Sequence, residues 1–340
     1  MEKARISLNT TNFPPENNLP LVTVICLCYN QGAFVEEALF SVINQTYQVL
    51  ELIVVDDASS DHSISVIQQF IQKHPHIHFI SNEQNLGNCR AFNKALAYAK
   101  GKYIIDLAAD DVLLDTRVEK QVNLFERLDA TYGVIFTNAI YINEKSQVVS
   151  YHYPVDNQGH ARRQIPAGDV YEAILRKYFI CTPTMMMRKS VIDALGGYDA
   201  NLSYEDFDFW VRSARIYKYS YLDEVLTLKR QVAGSLSTKF YQVRMNQLLA
   251  STLVVCRKAK ALNRSPSEDE ALASNVRYHL RQSFYTENFD LVWEYKKLLE
   301  SVAKTDFITQ VILFLSNFKI PVAWLYTLYR MARQKMNNFL

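Results

Sequence analysis

The opening hundred residues alternate between short apolar runs and segments of helical periodicity. Residues 21–28, 51–55 and 103–107 are almost wholly apolar over strand lengths, the pattern of strands buried on both faces. Segment 77–81 reads as a further strand. Between these runs, Val35, Ala38, Leu39 and Val42 recur at helical spacing within 34–45, and 63–73 and 89–100 predict two more helices. Strand and helix in alternation predict βαβ units: a mostly parallel central sheet flanked by helices. Right-handed crossovers then set the carboxyl ends of the first, second and fourth strands along one edge.

The pattern changes after that. A helix over 116–128 leads into two strands within 133–151, turned at Asn143 to Ser146. Residues 156–168 are polar and irregular, carry Arg162 and Arg163, and suit a loop over a cleft. A helix (169–178), a strand (184–187), a short helix (191–195) and the turn Gly196-Gly197-Tyr198-Asp199 follow. Phe207, Trp210 and Val211 then share one helical face, and 217–228 reads as a strand before a loop over 230–237. From 240 onward the periodicity is helical throughout: 240–262, 268–285, 289–303 and 307–336. The organisation expected is a short polar segment (1–20), an α/β domain (21–237) and a helical C-terminal region (238–340).

A polar turn closes each of the three strands that share an edge. Tyr29 and Asn30 follow the first, Asp56 and Asp57 the second, and Asp110 and Asp111 the fourth, with Ala108 and Ala109 leaving room for close approach. In open α/β sheets ligands bind outside the carboxyl ends of the strands. Carboxylates are hard oxygen donors suited to Mg²⁺ or Mn²⁺ carrying a diphosphate. Taken singly, each acid also reads as a helix cap: Asp111 or Asp115 precedes helix 116–128. Glu205 and Asp206 stand at a helix start, where the dipole favours acidic side chains. Convergence on one edge favours a site over separate caps.

Composition narrows the classes. The 340 residues carry a formal charge of +2 with no basic block, which argues against nucleic acid. Five cysteines, an odd number, lie in apolar contexts without metal or disulfide spacing and suit a reducing compartment. The first twenty residues lack an apolar signal core, so a cytoplasmic protein is expected. Segment 307–318 is too short to span a bilayer, and Lys319 and Pro321 interrupt the apolar pattern beyond it. The basic residues of the whole stretch 307–336 (Lys319, Arg330, Arg333, Lys335), beside Trp324, Tyr326 and Tyr329, suit lying at the inner face of a membrane. A docking or homodimer surface is the alternative.

With both acidic strand ends and Glu205-Asp206 in hand, the chain resembles family 2 glycosyltransferases of the GT-A fold. The resemblance runs through Val22 to Ile25 with Tyr29-Asn30, Gln45-Thr46-Tyr47, and Leu52 to Asp61. It continues through Asn85-Leu86-Gly87, Gly101-Lys102-Tyr103, Ala109-Asp110-Asp111, Gly196 to Asp199 and Glu205 to Trp210, in the family's order. It covers roughly 20–237 and stops before the helical tail. The resemblance implies an inverting transferase moving a sugar from a nucleotide-diphosphate donor, most often a UDP-sugar, to a glycan or lipid-linked acceptor in bacterial surface polysaccharide synthesis. Asp57 would accept from the base and Tyr29 would stack on it. Asp110 would hold the ribose or a metal-bound water, and Asp111, or Asp110 with it, would bind Mg²⁺ or Mn²⁺. Asp206 would be the general base, supported by Glu205, while Arg230 and Ser235 would help at the metal or phosphates. There is one departure: Val232 stands where the family often carries a His. That departure keeps a second reading open, a non-catalytic nucleotide-sugar-binding or scaffold subunit of a glycan-assembly complex. The processive-synthase Gln-x-x-Arg-Trp motif is absent, so one sugar per encounter is expected.

Overall fold

The computed structural model describes residues 19–232 and 240–337. The first half follows the predicted rhythm: β1 (Val22–Cys28), α1 (Val35–Ile43), β2 (Leu50–Asp56), α2 (Ser63–Lys73), β3 (His78–Ser81), α3 (Asn88–Leu96) and β4 (Tyr103–Ala108). Then come β5 (Val112–Leu113), α4 (Arg117–Phe125), β6 (Tyr132–Ile142), β7 (Val148–Tyr151), α5 (Tyr171–Arg176), β8 (Met186–Arg188), α6 (Lys189–Ala194), α7 (Asp206–Ala214) and β9 (Lys218–Arg230). Five helices close the chain: α8 (Gln247–Leu262), α9 (Pro266–Tyr285), α10 (Phe289–Glu300), α11 (Phe307–Asn317) and α12 (Ala323–Asn337).

All strands join one 9-stranded sheet ordered β3-β2-β1-β4-β8-β6-β9-β5, with β7 attached to β6. β3, β2, β1 and β4 are parallel, and β6 and β9 are parallel to each other. Antiparallel β8 joins the two halves. Cys28 pairs with Asp56, and Leu27 with Ala108, so the first, second and fourth strands end side by side, as their crossovers predict. Alternation along β1 sorts the core: Val22, Val24 and Cys26 join the cluster with α1, α2 and α4, while Ile25 joins the one that includes α3, α7 and the C-terminal helices. That second core is continuous from Ile53 and Phe92 through Trp210 to Val276, Tyr295 and Ile312.

Two boundaries differ from the sequence expectation, each for a local reason. The strand expected at 184–187 is preceded by a 3₁₀ turn over Thr182–Thr184, with Pro183 at its start, and β8 begins only at Met186. The helix expected from 240 starts at Gln247, because Asn246 takes the N-cap position and accepts from Leu249 N at 3.1 Å. Arg244 and Met245, at φ 60° and 50°, make the turn before it. The stretch 307–336 forms two helices parted at Lys319 (φ 45°) and Pro321, where the apolar pattern is interrupted.

Candidate active site

The loops after β1 and β2 are stapled together. Asn30 (φ 55°) and Ala58 (φ 60°) adopt the left-handed conformation, which costs an alanine about 1 kcal/mol. Asn30 Oδ1 accepts from Ser60 N at 2.7 Å and Asn30 N donates to Ser59 Oγ at 2.9 Å. Gly32 N donates to Asp61 Oδ2 at 2.9 Å. Held this way, Tyr29 remains 49 % exposed at the sheet edge. Asp57 beside it is buried and accepts from Asn82 Nδ2 (2.8 Å), Leu86 N (2.9 Å) and Gly87 N (2.9 Å). An ionised carboxylate offers about four acceptor sites, so one remains for a further donor.

Beyond β4, Asp111 is 3 % exposed and its Oδ1 accepts from Arg230 N at 2.8 Å. Burial, then the neighbouring Asp110, pushes its carboxyl up to about 7, against the pull of Lys229 and Arg117. Burial also raises Asp110. Arg230 is buried, and its guanidinium reaches the Asp110 carbonyl (3.0 Å), Asn143 O (3.1 Å), Ser146 Oγ (2.9 Å) and Glu37 (2.5 Å). It fastens the acidic turn to the hairpin and to α1. Arg117 is wholly buried, donating to Gln121, Thr227 and the Met185 carbonyl. Ser235 lies outside the described residues.

Across the cleft, Asp206 opens α7 and accepts from Thr182 Oγ1 at 2.7 Å through Oδ2; its Oδ1 is buried without a partner among the described residues. Glu205 accepts from Asn88 Nδ2 at 2.6 Å, and burial, then Asp206 and Asp106, pushes its carboxyl well up. The preceding Gly-Gly-Tyr-Asp turn is clamped to α3: Asn93 Nδ2 donates to Tyr198 O at 2.7 Å and Asn93 Oδ1 accepts back from Tyr198 N at 2.9 Å. Tyr198 stacks on Phe92 and donates to Asp106 Oδ2 at 3.1 Å. Lys229 is paired in register with Tyr141, and both Asp111 and Asp206 favour its charged form. Burial alone would lower the Lys229 pKa, but Cys181, Asp111, Tyr141 and Asp206 outweigh it and hold the ammonium charged.

The family model described as Glycosyl transferase family 2 matches residues 23–196. The chain belongs to this family. An uncharacterized glycosyltransferase of Methanocaldococcus jannaschii is 29 % identical over 214 residues, covering 62 % of this chain and 71 % of that one. Chondroitin synthase of Escherichia coli is 24 % identical over 210 residues, 61 % of this chain and 28 % of that longer one. Among solved structures, S. aureus TarS (residues 1–349) in complex with UDP-GlcNAc superposes with a TM-score of 0.62 at 15 % identity, covering 88 % of each chain. A mannosyltransferase from Pyrobaculum calidifontis in complex with GDP-Man and Mn²⁺ gives 0.54 at 18 % identity, over 94 % of this chain and 85 % of that one. The fold is GT-A, with a helical C-terminal region.

Among the described residues no group of three His, Cys, Asp or Glu side chains stands ready to enclose a metal ion. The donor set nevertheless fits a divalent cation of the family's kind. Mg²⁺ is typically held by one or two carboxylates, with water and substrate phosphates completing its shell. Asp110 and Asp111 supply such a pair, and the free-energy cost of their mutual repulsion favours an added cation. Sequence reasoning did not single out Lys229, Asp106 or Thr182. Asp106 had a signal, a carboxylate inside an otherwise apolar strand. Lys229 stands next to Arg230 in a strand, so alternation turns the two cations to opposite faces. Thr182 had none.

Proposed function

We propose that the protein transfers a sugar from a nucleotide-diphosphate donor, UDP-linked by preference, to a hydroxyl of a glycan or lipid-linked acceptor, with inversion. The reading rests chiefly on one observation: Tyr29, Asp57 and Asp110/Asp111 follow strands that end side by side; the buried unpartnered oxygen of Asp206 supports it. The UDP-GlcNAc complex of TarS and the chondroitin synthase relative support the donor class and a role in polysaccharide synthesis.

In this reading Tyr29 stacks on the base and Asp57 takes one further N–H. Asp110 and Asp111 hold Mg²⁺ or Mn²⁺, which when bound offsets charge on the diphosphate. Lys229 brings a fixed positive charge to the same diphosphate, a task that the absent family His leaves open. Asp206 accepts the acceptor hydroxyl's proton as that oxygen bonds to the anomeric carbon from the face opposite the leaving group. The bond to the diphosphate breaks and its electron pair leaves with the nucleotide. Glu205, which burial holds towards its neutral form, stands beside Asp206, while Thr182 orients Asp206. Arg230 acts by holding the acidic turn.

Calorimetric titration with UDP, GDP and dTDP, with and without Mn²⁺, tests this. UDP binding should need the metal and vanish in Asp111→Ala. Lys229→Met should weaken UDP about tenfold, yet leave uridine unchanged. Asp206→Asn should keep UDP affinity while losing on the order of 10³-fold in turnover. A folded protein that binds none of the three nucleotides overturns the reading.

A further inference from the structure

The two C-terminal helices wear their polarity inside out. In α11 the buried positions include Thr309 and Ser316 beside Ile312 and Leu313, which reach the core shared with α9 and α10. Its outer stripe is Phe307, Val311, Phe314 and Phe318, at intervals of four, three and four residues, with exposures of 78 %, 41 %, 63 % and 65 %. In α12 the inward contacts are hydrogen bonds and aromatic stacks. Ala323 N donates to Glu287 Oε1 at 3.1 Å, Tyr326 donates to Gln282 and stacks on Tyr285, and the Arg330 guanidinium lies 3.3 Å over the Tyr241 ring. Trp324, Leu325, Leu328 and Met331 are left facing solvent. Large apolar side chains left exposed together on neighbouring helices mark an interaction surface, where scattered single ones would need no explanation.

Charge says what covers this face. From 307 to 340 the sequence has four cationic residues, Lys319, Arg330, Arg333 and Lys335, and no acidic one. Exposed aromatic and aliphatic side chains in a segment whose only charges are cationic match the interface of an anionic bilayer. The aromatic rings, Trp324 and Tyr329 among them, are the side chains that settle at headgroup depth. No described helix is long and apolar enough to cross a membrane. We infer that α11 and α12 lie flat in the surface of a membrane rich in anionic lipid, and that this face seats the protein there. The inference stands independently of glycosyl transfer, since it uses no residue of the cleft.

Flotation of the full chain with vesicles of phosphatidylcholine, alone or with 30 % phosphatidylglycerol, tests it. The anionic vesicles should bind at least tenfold more tightly, less so in high salt, and Trp324 emission should shift to the blue. Trp324→Phe should lose most of that shift while still floating. Phe314→Glu with Trp324→Glu, both at exposed positions, should lower binding at least tenfold without changing nucleotide titration or the melting temperature. Three results overturn the inference: no flotation of the parent chain; equal binding to neutral and anionic vesicles; or a dimer by sedimentation velocity that the double variant splits, which would place a second copy on this face.

Discussion

At the scale of single residues, the cleft gathers carboxylates that cannot all ionise together. Asp106 shows the consequence most directly. Burial pushes its carboxyl up to about 7, Asp206 adds to the effect, and the Tyr198 hydroxyl opposes it. An aspartate in the unfolded chain titrates near 4. Ionising Asp106 between those values therefore costs the folded state more than the unfolded one. The stability this group contributes is complete below about pH 4 and is lost as the pH rises through about 7. Asp106→Asn keeps an acceptor for Tyr198 and removes the charge. It should raise the melting temperature by a few degrees at pH 8 and leave it unchanged at pH 4. Thermal scans at the two pH values check this, and an equal gain at both would remove ionisation as the cause.

At the scale of elements, the positions that matter are where one element ends against another. The glycine pair after α6 is the clearest case. Both glycines have positive φ, 71° at Gly196 and 82° at Gly197, but their surroundings differ. A Cβ at Gly196 meets nothing within 4 Å, whereas one at Gly197 would stand 2.5 Å from Asn93 Oδ1. Gly196→Ala should therefore cost only the backbone term, about 1 kcal/mol. Gly197→Ala should cost on the order of 3 kcal/mol, because it also pushes away the Asn93 amide that fixes Tyr198. Urea unfolding of the two variants separates them. Equal losses would mean that the clamp between α3 and the turn carries no stability. The same turn presents Tyr198 to Asp106, so the Gly197 variant should also disturb the acidic cleft.

At the scale of the molecule, the helical region and the α/β sheet share one core. Lys258 on α8 bonds Asp199 and the buried Asp208, each at 2.6 Å. Tyr171 on α5 donates to Asn263 at 2.9 Å, and Arg215 pairs with Glu268 at 2.8 Å. Removing one partner of a buried ion leaves it uncompensated, so Lys258→Ala should destabilise by roughly 2–3 kcal/mol, less than a complete break because Arg212 still pairs with Asp208. Trp210 lies in α7 and Trp293 in α10, on either side of this junction. Fluorescence and far-ultraviolet circular dichroism should then report one coincident transition in parent and variant. Separate transitions would show that the helices unfold on their own.

The βαβ order, the three strand ends that share an edge and the acidic residues on them were legible in the chain before any contact was known. Each of these follows from local periodicity and from the handedness of short connections, which need no knowledge of distant contacts. The chain also carried Glu205-Asp206, through their place in a family's order of motifs. What the fold alone supplied is the bond from Thr182 to the Asp206 carboxylate and the burial of Lys229 where Asp111 and Asp206 favour its charge. Those groups come from strands and turns far apart in the chain, and pairings between remote segments leave no periodic trace. The same holds for the tail. Its apolar stripes were legible as stripes, but which one would find a partner depended on where α9 and α10 stood, and packing left the larger side chains outside.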